Sequence, residues 1–600
     1  MIDWFRGHRQ LSYVGAAIVA LLVVFLLREI RQSPSTAAPE QASGDCVDLI
    51  VNSSVEKDDL VRDLANRYNG AGRVFDNRCA TVQVYATASG TAMASLAAGW
   101  QPAPDGAPAP HVWTPTSSLW RELLQQRAAG GDGVNVVPAG EFASITQSRM
   151  TIAMPRPMAE ALGWPDSDIS WQDIYELATD QDGWASRGHP EWGRFALGRD
   201  NPHVSTSGLA ATVATFYAAT GLSSDLTEAD IENPEVTTFV HGVESSVLHY
   251  GDTALTFLDN LAKADARGEA LSYVSAIVMQ EQLAYLYNKG NPLGRMAVPS
   301  DARTPTVQLV AVQPTDGAFE LDHPYFVLDS ATDDQKAAAA DFLAFLLEDD
   351  QQRRFTEFGF RDHEGNPSDE LVASVGIDRD QNVPVLAPPS GAVLDKAMQG
   401  WDALRKKARV LLVIDVSGSM DDGTGAGQSK LEAAKAAALR ALDLLSPDDQ
   451  VGLWAFSGSN RDGRDPITRL VAPSRLGDGM GRLTEAINGL APSGATALYH
   501  TARAAQRDLA AGFDPALINA AVLLTDGKND YNADADLERL ITDLDSAGRN
   551  NPVRIFTIAY GVEADFAALE RIATATRAAN YDARDPTSID KVLVSVLSNF

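Results

Sequence analysis

Residues 411–420 read LLVIDVSGSM, and the apolar run that opens at Val410 leads straight into Asp415-x-Ser417-x-Ser419. An unbroken apolar run of this length marks a strand buried on both faces of a parallel sheet. It predicts one carboxylate and two hydroxyls delivered onto a single loop. Downstream, Thr496 lies in SGATAL, and Asp526 closes a second apolar run, AVLLTDG. Ligands of open parallel sheets collect at the carboxyl ends of the strands, so the five residues are expected to converge. Such oxygens suit a hard divalent cation, because Mg2+ prefers about six oxygen ligands near 2.1 Å and keeps some of its waters.

In this order and spacing, Asp415, Ser417 and Ser419, then Thr496, then Asp526 resemble the metal-ion-dependent adhesion site of von Willebrand factor A domains, over roughly residues 408–600. The resemblance implies Mg2+ (or Mn2+ or Ca2+) held directly by the two serines and the threonine, with the aspartates acting through water. It also implies an open coordination position that an acidic side chain of a protein partner fills. Neutral hydroxyls leave the cation net positive charge, and that favours an incoming carboxylate. Asp421 and Asp422 read as a polar loop. A single Asp-x-Ser-x-Ser would read only as a turn and helix cap; three matched pieces on strand ends read as a site.

The surrounding pattern alternates strand and helix. VLLVIDVS, VGLWAFS, AAVLLTDG and RIFTIAYG read as strands, LEAAKAAALRALDLL and LYHTARAAQRDLAAG as helices, and DPITRLVAP as an edge strand. This is a doubly wound, Rossmann-like α/β sheet, a fold that hosts many functions. No nucleophile–base set appears: His500 stands alone, and the glycine spacing around Ser417 and Ser419 is not that of a nucleophile elbow. Phosphate-loop, zinc and nucleotide fingerprints are missing as well. The expectation is a binding protein and not an enzyme.

Upstream, VDLIVN, CATVQVYAT and HVWTP alternate with the helix-like KDDLVRDLANRYN, TAMASLAAGW and SLWRELLQQR, which predicts a parallel sheet covered by helices. Together with SWQDIYELA, YVSAIVMQEQLAYLYNKG, VQPTDGAFELDHPYFVL and the closing FTEFGFR, residues 45–361 resemble the periplasmic solute-binding proteins of bacterial ABC transporters. That family implies a type II module of two lobes with a pair of crossing strands and a small solute in the cleft between them. Candidate contacts are three turns that start helices: Ser89, Gly90 and Thr91; Thr116, Ser117 and Ser118; and Ser205, Thr206 and Ser207 before Gly208. Hydroxyls and free N–H groups at a helix start can hold an oxyanion, although such residues commonly just cap their own helices. Trp113 and Trp120 are aromatic candidates for a sugar, with buried packing the commoner role.

The chain of 600 residues exceeds what one core supports, and its 45% apolar and 22% charged content is that of a globular protein. A formal charge of −31 argues against nucleic acid, whose recognition needs a basic footprint. Residues 11–27, LSYVGAAIVALLVVFLL, form an uncharged apolar run between Arg6 and Arg9 on one side and Arg28 and Arg31 on the other. It reads as a single transmembrane anchor after a short cytoplasmic tail (1–10), and is followed by a Ser-, Pro- and Ala-rich tether (28–44). Cys46 and Cys79 open two predicted strands in an exported chain, which favours a disulfide. Residues 362–407 read as a loop-rich linker with a helix from Gly391 into the first strand of the last domain.

The expected protein is therefore a membrane-anchored, extracytoplasmic binding or adhesion protein. Its alternatives are the solute-binding component of an ABC-type transport system and a non-catalytic accessory subunit of an ATPase or chaperone complex.

Overall fold

The computed structural model describes residues 46–101, 106–298, 300, 302–458, 465–548 and 552–600. The expected anchor (11–27) and tether (28–44) lie outside these residues. Among the described residues, no helix is long and apolar enough to cross a membrane.

Eleven strands build the first module: β1 Val47–Ser53, β2 Ala80–Ala86, β3 Val112–Thr114, β4 Ala143–Ser144, β5 Ser148–Pro155, β6 Leu197–Asp200, β7 Val247–Gly251, β8 Ala276–Gln280, β9 Leu309–Val312, β10 Glu320–Leu321 and β11 Pro324–Val327. They form two sheets, β2-β1-β3-β11-β4 in the first lobe and β10-β5-β8-β6-β7 in the second, with β9 on β5. Helices Asp58–Gly70 and Ser89–Ala97 follow β1 and β2, so β1, β2 and β3 run parallel. The chain passes between the lobes over the short segments β4 to β5 and β10 to β11. A disulfide joins Cys46 and Cys79 beside the first paired residues, Val47 and Ala80, with Cα atoms 4.5 Å apart.

The second module is one sheet. Its strands β12 Lys407–Asp415, β13 Gln450–Phe456, β14 Ile467–Arg475, β15 Leu517–Thr525, β16 Arg554–Tyr560 and β17 Asn580–Ala583 take the order β14-β13-β12-β15-β16-β17. All neighbours are parallel except β14, the antiparallel edge strand. The central strands β12 and β15 are buried nearly end to end, as their continuous apolar sequence requires.

The linker holds more order than its composition indicates. Ser368 caps a short helix, Asp369–Val375, and a second helix spans Gly391–Leu404. That second helix packs on helix Leu119–Gly130 of the first lobe and on helices Thr206–Thr220 and Pro234–Ser245 of the second. The approach is close: a Cβ on Gly391 would lie 2.5 Å from the Glu122 carbonyl oxygen. Trp401, 1% exposed, meets Tyr250 edge to face with ring centres 4.9 Å apart. The C-terminal helix Ile589–Leu597 of the second module ends against the second lobe, where Tyr250 N–H donates to the Asn599 carbonyl (2.9 Å). One hydrophobic core runs through both lobes, the linking helix and one face of the second sheet.

Trp401→Ala is expected to destabilise the protein by about 3–5 kcal/mol, because it empties the junction of three packed bodies. Denaturant unfolding monitored by far-UV circular dichroism measures the loss.

Candidate functional site

At the carboxyl end of the second sheet, β12 delivers Asp415 and the adjoining loop delivers Ser417 and Ser419. Asp415 is fully buried and accepts from the Ser417 N–H (2.7 Å) and the Thr525 hydroxyl. The Ser417 and Ser419 hydroxyl oxygens are 3.1 Å apart, and Ser419 Oγ donates to Asp526 Oδ1 at 2.7 Å. Asp526 follows β15. The Gly418 N–H bonds to the Gly494 carbonyl (3.0 Å), which ties the first loop to the segment carrying Thr496. A Cβ on Gly527 would sit 2.7 Å from Thr496 Oγ1, so only glycine leaves room for that hydroxyl beside Asp526. Thus Asp415, Ser417, Ser419, Thr496 and Asp526 come together from three loops.

Two features bear on the chemistry of this pocket. Thr496 is 3% exposed, yet its hydroxyl makes no hydrogen bond among the described residues. It is an oxygen donor held at the pocket without a protein partner. Second, Lys430 reaches Asp526 Oδ2 with Nζ at 2.7 Å, and the Tyr560 hydroxyl holds the Lys430 carbonyl (3.0 Å). Of the two buried carboxylates, Lys430 pairs with Asp526. Burial pushes the Asp415 carboxyl up to about 7, against the hydrogen bonds from Thr525 and Ser417, with the Asp526 charge adding to the rise. Asp421 and Asp422 are exposed; the latter stands 3.8 Å from Lys430. His500 lies outside the group, half-exposed beside Tyr531.

In the first module the three predicted turns meet at the seam between the lobes. Ser89 Oγ accepts from the Thr116 N–H (3.2 Å), the Gly90 N–H donates to the Val204 carbonyl (2.9 Å), and Trp120 Nε1 donates to Thr206 Oγ1 (2.7 Å). A Cβ on Gly90 would fall 2.2 Å from the His203 carbonyl oxygen. Ser205 caps its helix through the Ser207 N–H (3.2 Å), whereas Ser118 and Ser89 make no capping bond. Ser117 is buried, Thr91 and Ser118 are half-buried, and Ser207 Oγ is buried without a partner. The lobes are therefore shut against each other, and Trp113 and Trp120 are wholly packed.

Charged residues behind this seam carry no motif. Lys57 Nζ donates to Ser54 Oγ (2.8 Å) and to the Thr114 carbonyl (2.8 Å), and burial pulls its ammonium down to about 7. Asp200, buried and pushed upward by that burial, accepts from Ser205 Oγ at 2.7 Å. His323, on the passage from β10 to β11, is buried and held well below the ordinary imidazole range by burial and by Lys57. Lys57 lies just past the end of β1, and its position at a strand end was the available signal. Lys430 opens an alanine-rich helix, where a lysine reads as solvent-facing.

A family model for bacterial extracellular solute-binding proteins matches residues 49–361, just over half of the chain. The chain belongs to that family. A model for the von Willebrand factor type A domain matches residues 410–528. This solute-binding protein is similar in structure to a von Willebrand factor type A protein from Catenulispora acidiphila (22% identity, TM-score 0.27), covering 32% of this chain and 42% of that one. It is similar to the ferric binding protein from Campylobacter jejuni (13% identity, TM-score 0.39), covering 59% of this chain and 99% of that one. It is likewise similar to the periplasmic binding protein AfuA from Actinobacillus pleuropneumoniae, solved with fructose 6-phosphate (13% identity, TM-score 0.39), covering 61% of this chain and 100% of that one. The chain thus spans less than half the length of the Catenulispora protein. No curated protein matches it.

Gly90→Val is expected to pry the lobes apart, raising the radius of gyration measured by small-angle X-ray scattering. The Lys57 shift sets a pH dependence. Between a folded-state value of about 7 and the ordinary 10.5, the unfolded chain binds more protons, so stability rises with pH. The stability of the wild type relative to Lys57→Met is expected to climb by about 1 kcal/mol per pH unit from pH 7 to 9 in urea titrations.

Proposed function

We propose that this solute-binding protein is a membrane-anchored, extracytoplasmic receptor whose von Willebrand factor A module binds an acidic group of a protein partner through a divalent cation. The observation that carries the reading is the convergence of Asp415, Ser417, Ser419, Thr496 and Asp526, with the Thr496 hydroxyl left unbonded. The donor set fits such an ion: three neutral hydroxyls and two carboxylates, all oxygens, around a pocket in which, of the two buried acids, Lys430 pairs with Asp526. A bound Mg2+, or Mn2+ or Ca2+, supplies positive charge with a coordination position free for a partner's carboxylate.

The rest is work of the chain's own side chains. The Ser417 N–H and the Thr525 hydroxyl orient the Asp415 carboxylate, and Lys430 holds Asp526 with one oxygen toward Ser419. Ser417, Ser419 and Thr496 would ligate directly, and the two aspartates through water. In the first module, a small solute belongs at the seam of Ser89–Thr91, Thr116–Ser118 and Ser205–Ser207, reached when the lobes part. The linking helix touches both lobes and runs into β12, so solute-driven closure and partner capture are coupled in this reading.

The transport alternative is supported by the family membership and needs no metal. The test separates the two. Calorimetric titration with Mg2+ is expected to give binding to the wild type and at least tenfold weaker binding to Asp415→Ala and Thr496→Ala. Pull-down from membranes is expected to retain a partner with the wild type and lose it with chelator or with Asp415→Ala. Undiminished Mg2+ affinity in both variants refutes the metal site.

A further inference from the structure

Far from the acidic pocket, at the amino ends of the strands of the second sheet, a cavity of about 1370 Å³ opens between the second lobe and the second module. Its walls come from helix Pro234–Ser245, the segment 190–196, the end of the linking helix and the starts of β12, β15 and β16. Six of its lining residues are Arg or Lys and only three, Asp180, Glu191 and Glu269, are acidic. That balance runs against a chain whose formal charge is −31.

Five of the six cations form no ion pair among the described residues; one of them, Lys407, donates to the Asp402 carbonyl and lies near Asp448 and Asp449. The other four are Arg194, Lys406, Arg554 and Arg577, whereas Arg405 is paired with buried Asp449. Lys406 Nζ and Arg577 Nη1 donate only to neutral carbonyls, of Val247 and Ser272, each at 3.2 Å. Arg554 is 5% exposed, and its Nε is buried without a partner. Two of the three acids are engaged elsewhere, Glu191 with His189 and Glu269 with Arg267. The cations act on one another: burial, then Arg554 and Arg194, pull the Lys406 ammonium down to about 8 against the opposing charge of Asp514, and burial pulls Arg554 down to about 10. A buried guanidinium without a partner is costly, and an anion that supplies one is bound by the cost it removes.

We propose that this cavity is a binding site for a small organic polyanion, held through phosphate or carboxylate groups by Arg194, Lys406, Arg554 and Arg577. Guanidinium groups match both oxyanions in two-pronged geometry, and Lys406 adds a point charge. The volume exceeds that of a lone ion by far, and Tyr175 and Trp192 offer an apolar wall for an organic body. The site is a cleft walled by three bodies and open on one side at Arg194; its depth, at which Arg554 is buried, suits a small molecule that reaches inside better than an acidic protein segment lying across its mouth. Arg194 and Arg577 come from different modules, so the bound anion fastens the second lobe to the second module.

The test uses the full chain in chelator, with citrate and pyrophosphate as probes and a poly-glutamate peptide as control. Calorimetry is expected to show citrate or pyrophosphate binding equally to the wild type and to Asp415→Ala, with a raised thermal midpoint. The double variant Arg194→Glu/Arg577→Gln, both at positions that are not fully buried, is expected to bind at least tenfold more weakly while keeping its far-UV spectrum; Arg554→Gln is expected to do the same if folded. Absence of binding by both small anions, undiminished binding by the double variant, or binding of poly-glutamate alone overturns the proposal. Loss in Asp415→Ala alone overturns it as well, since that variant touches only the cation pocket.

Discussion

The helix Gly391–Leu404 constrains everything else, because it has to satisfy three bodies at once. Its first turn lies against the Glu122 backbone of one lobe, its middle, at Gly400, against Phe216 and Ile231 of the other, and its end against Tyr250 before it enters β12. Two glycines on this helix cost conformational entropy. At Gly391 a Cβ would collide with the Glu122 carbonyl, and at Gly400 it would crowd the Ile231 and Phe216 side chains at 3.2 Å, so close approach offsets the propensity loss most firmly at the first turn. With Trp401 fully packed, lobes and second module cannot shift independently without opening one shared core. Asn599 adds a second tie to Tyr250, on the strand β7.

Charge is distributed to match. The acidic pocket of Asp415 and Asp526 lies at the carboxyl ends of β12 and β15, and the basic cavity lies at the amino ends of the same strands. The first gathers more carboxylate than its single lysine offsets, the second more cations than its acids offset. Opposite ends of one buried sheet are rigidly related, so the two clusters are held at a fixed separation by the same core.

How much of this was legible in the sequence depends on whether information is local. The apolar runs before Asp415 and Asp526 are local, and strand ends carry site residues in this class of sheet, so five positions stood out. The hydroxyl turns were legible as helix starts. That Gly90 presses on His203 and shuts the seam was not, since it depends on two lobes meeting. Lys430 was illegible for a similar reason: KLEAAKAAALR reads as a surface helix, and only the tertiary position of Asp526 draws its first lysine inward. The cavity cations Arg194, Lys406, Arg554 and Arg577 come from distant parts of the chain, and no spacing relates them.

The closed seam also explains why Lys57 tolerates full burial. Its ammonium is satisfied by Ser54 and by the carbonyls of Thr114 and Pro115, all in the first lobe, while Asp322 and Glu56 supply nearby negative charge. Burial strips this ammonium of water and lowers its proton affinity. Closure therefore costs charge solvation at Lys57, Asp200 and His323 together, and something has to offset that cost. The contacts across the seam, Gly90 to Val204 and Trp120 to Thr206, are few and neutral, worth about 1 kcal/mol each. The linking helix, which grips both lobes from outside through buried apolar side chains, contributes more than these two bonds. The linking helix thus grips the shut lobes from behind, alongside an apolar core that the two lobes share directly and the buried Arg361–Glu281 pair.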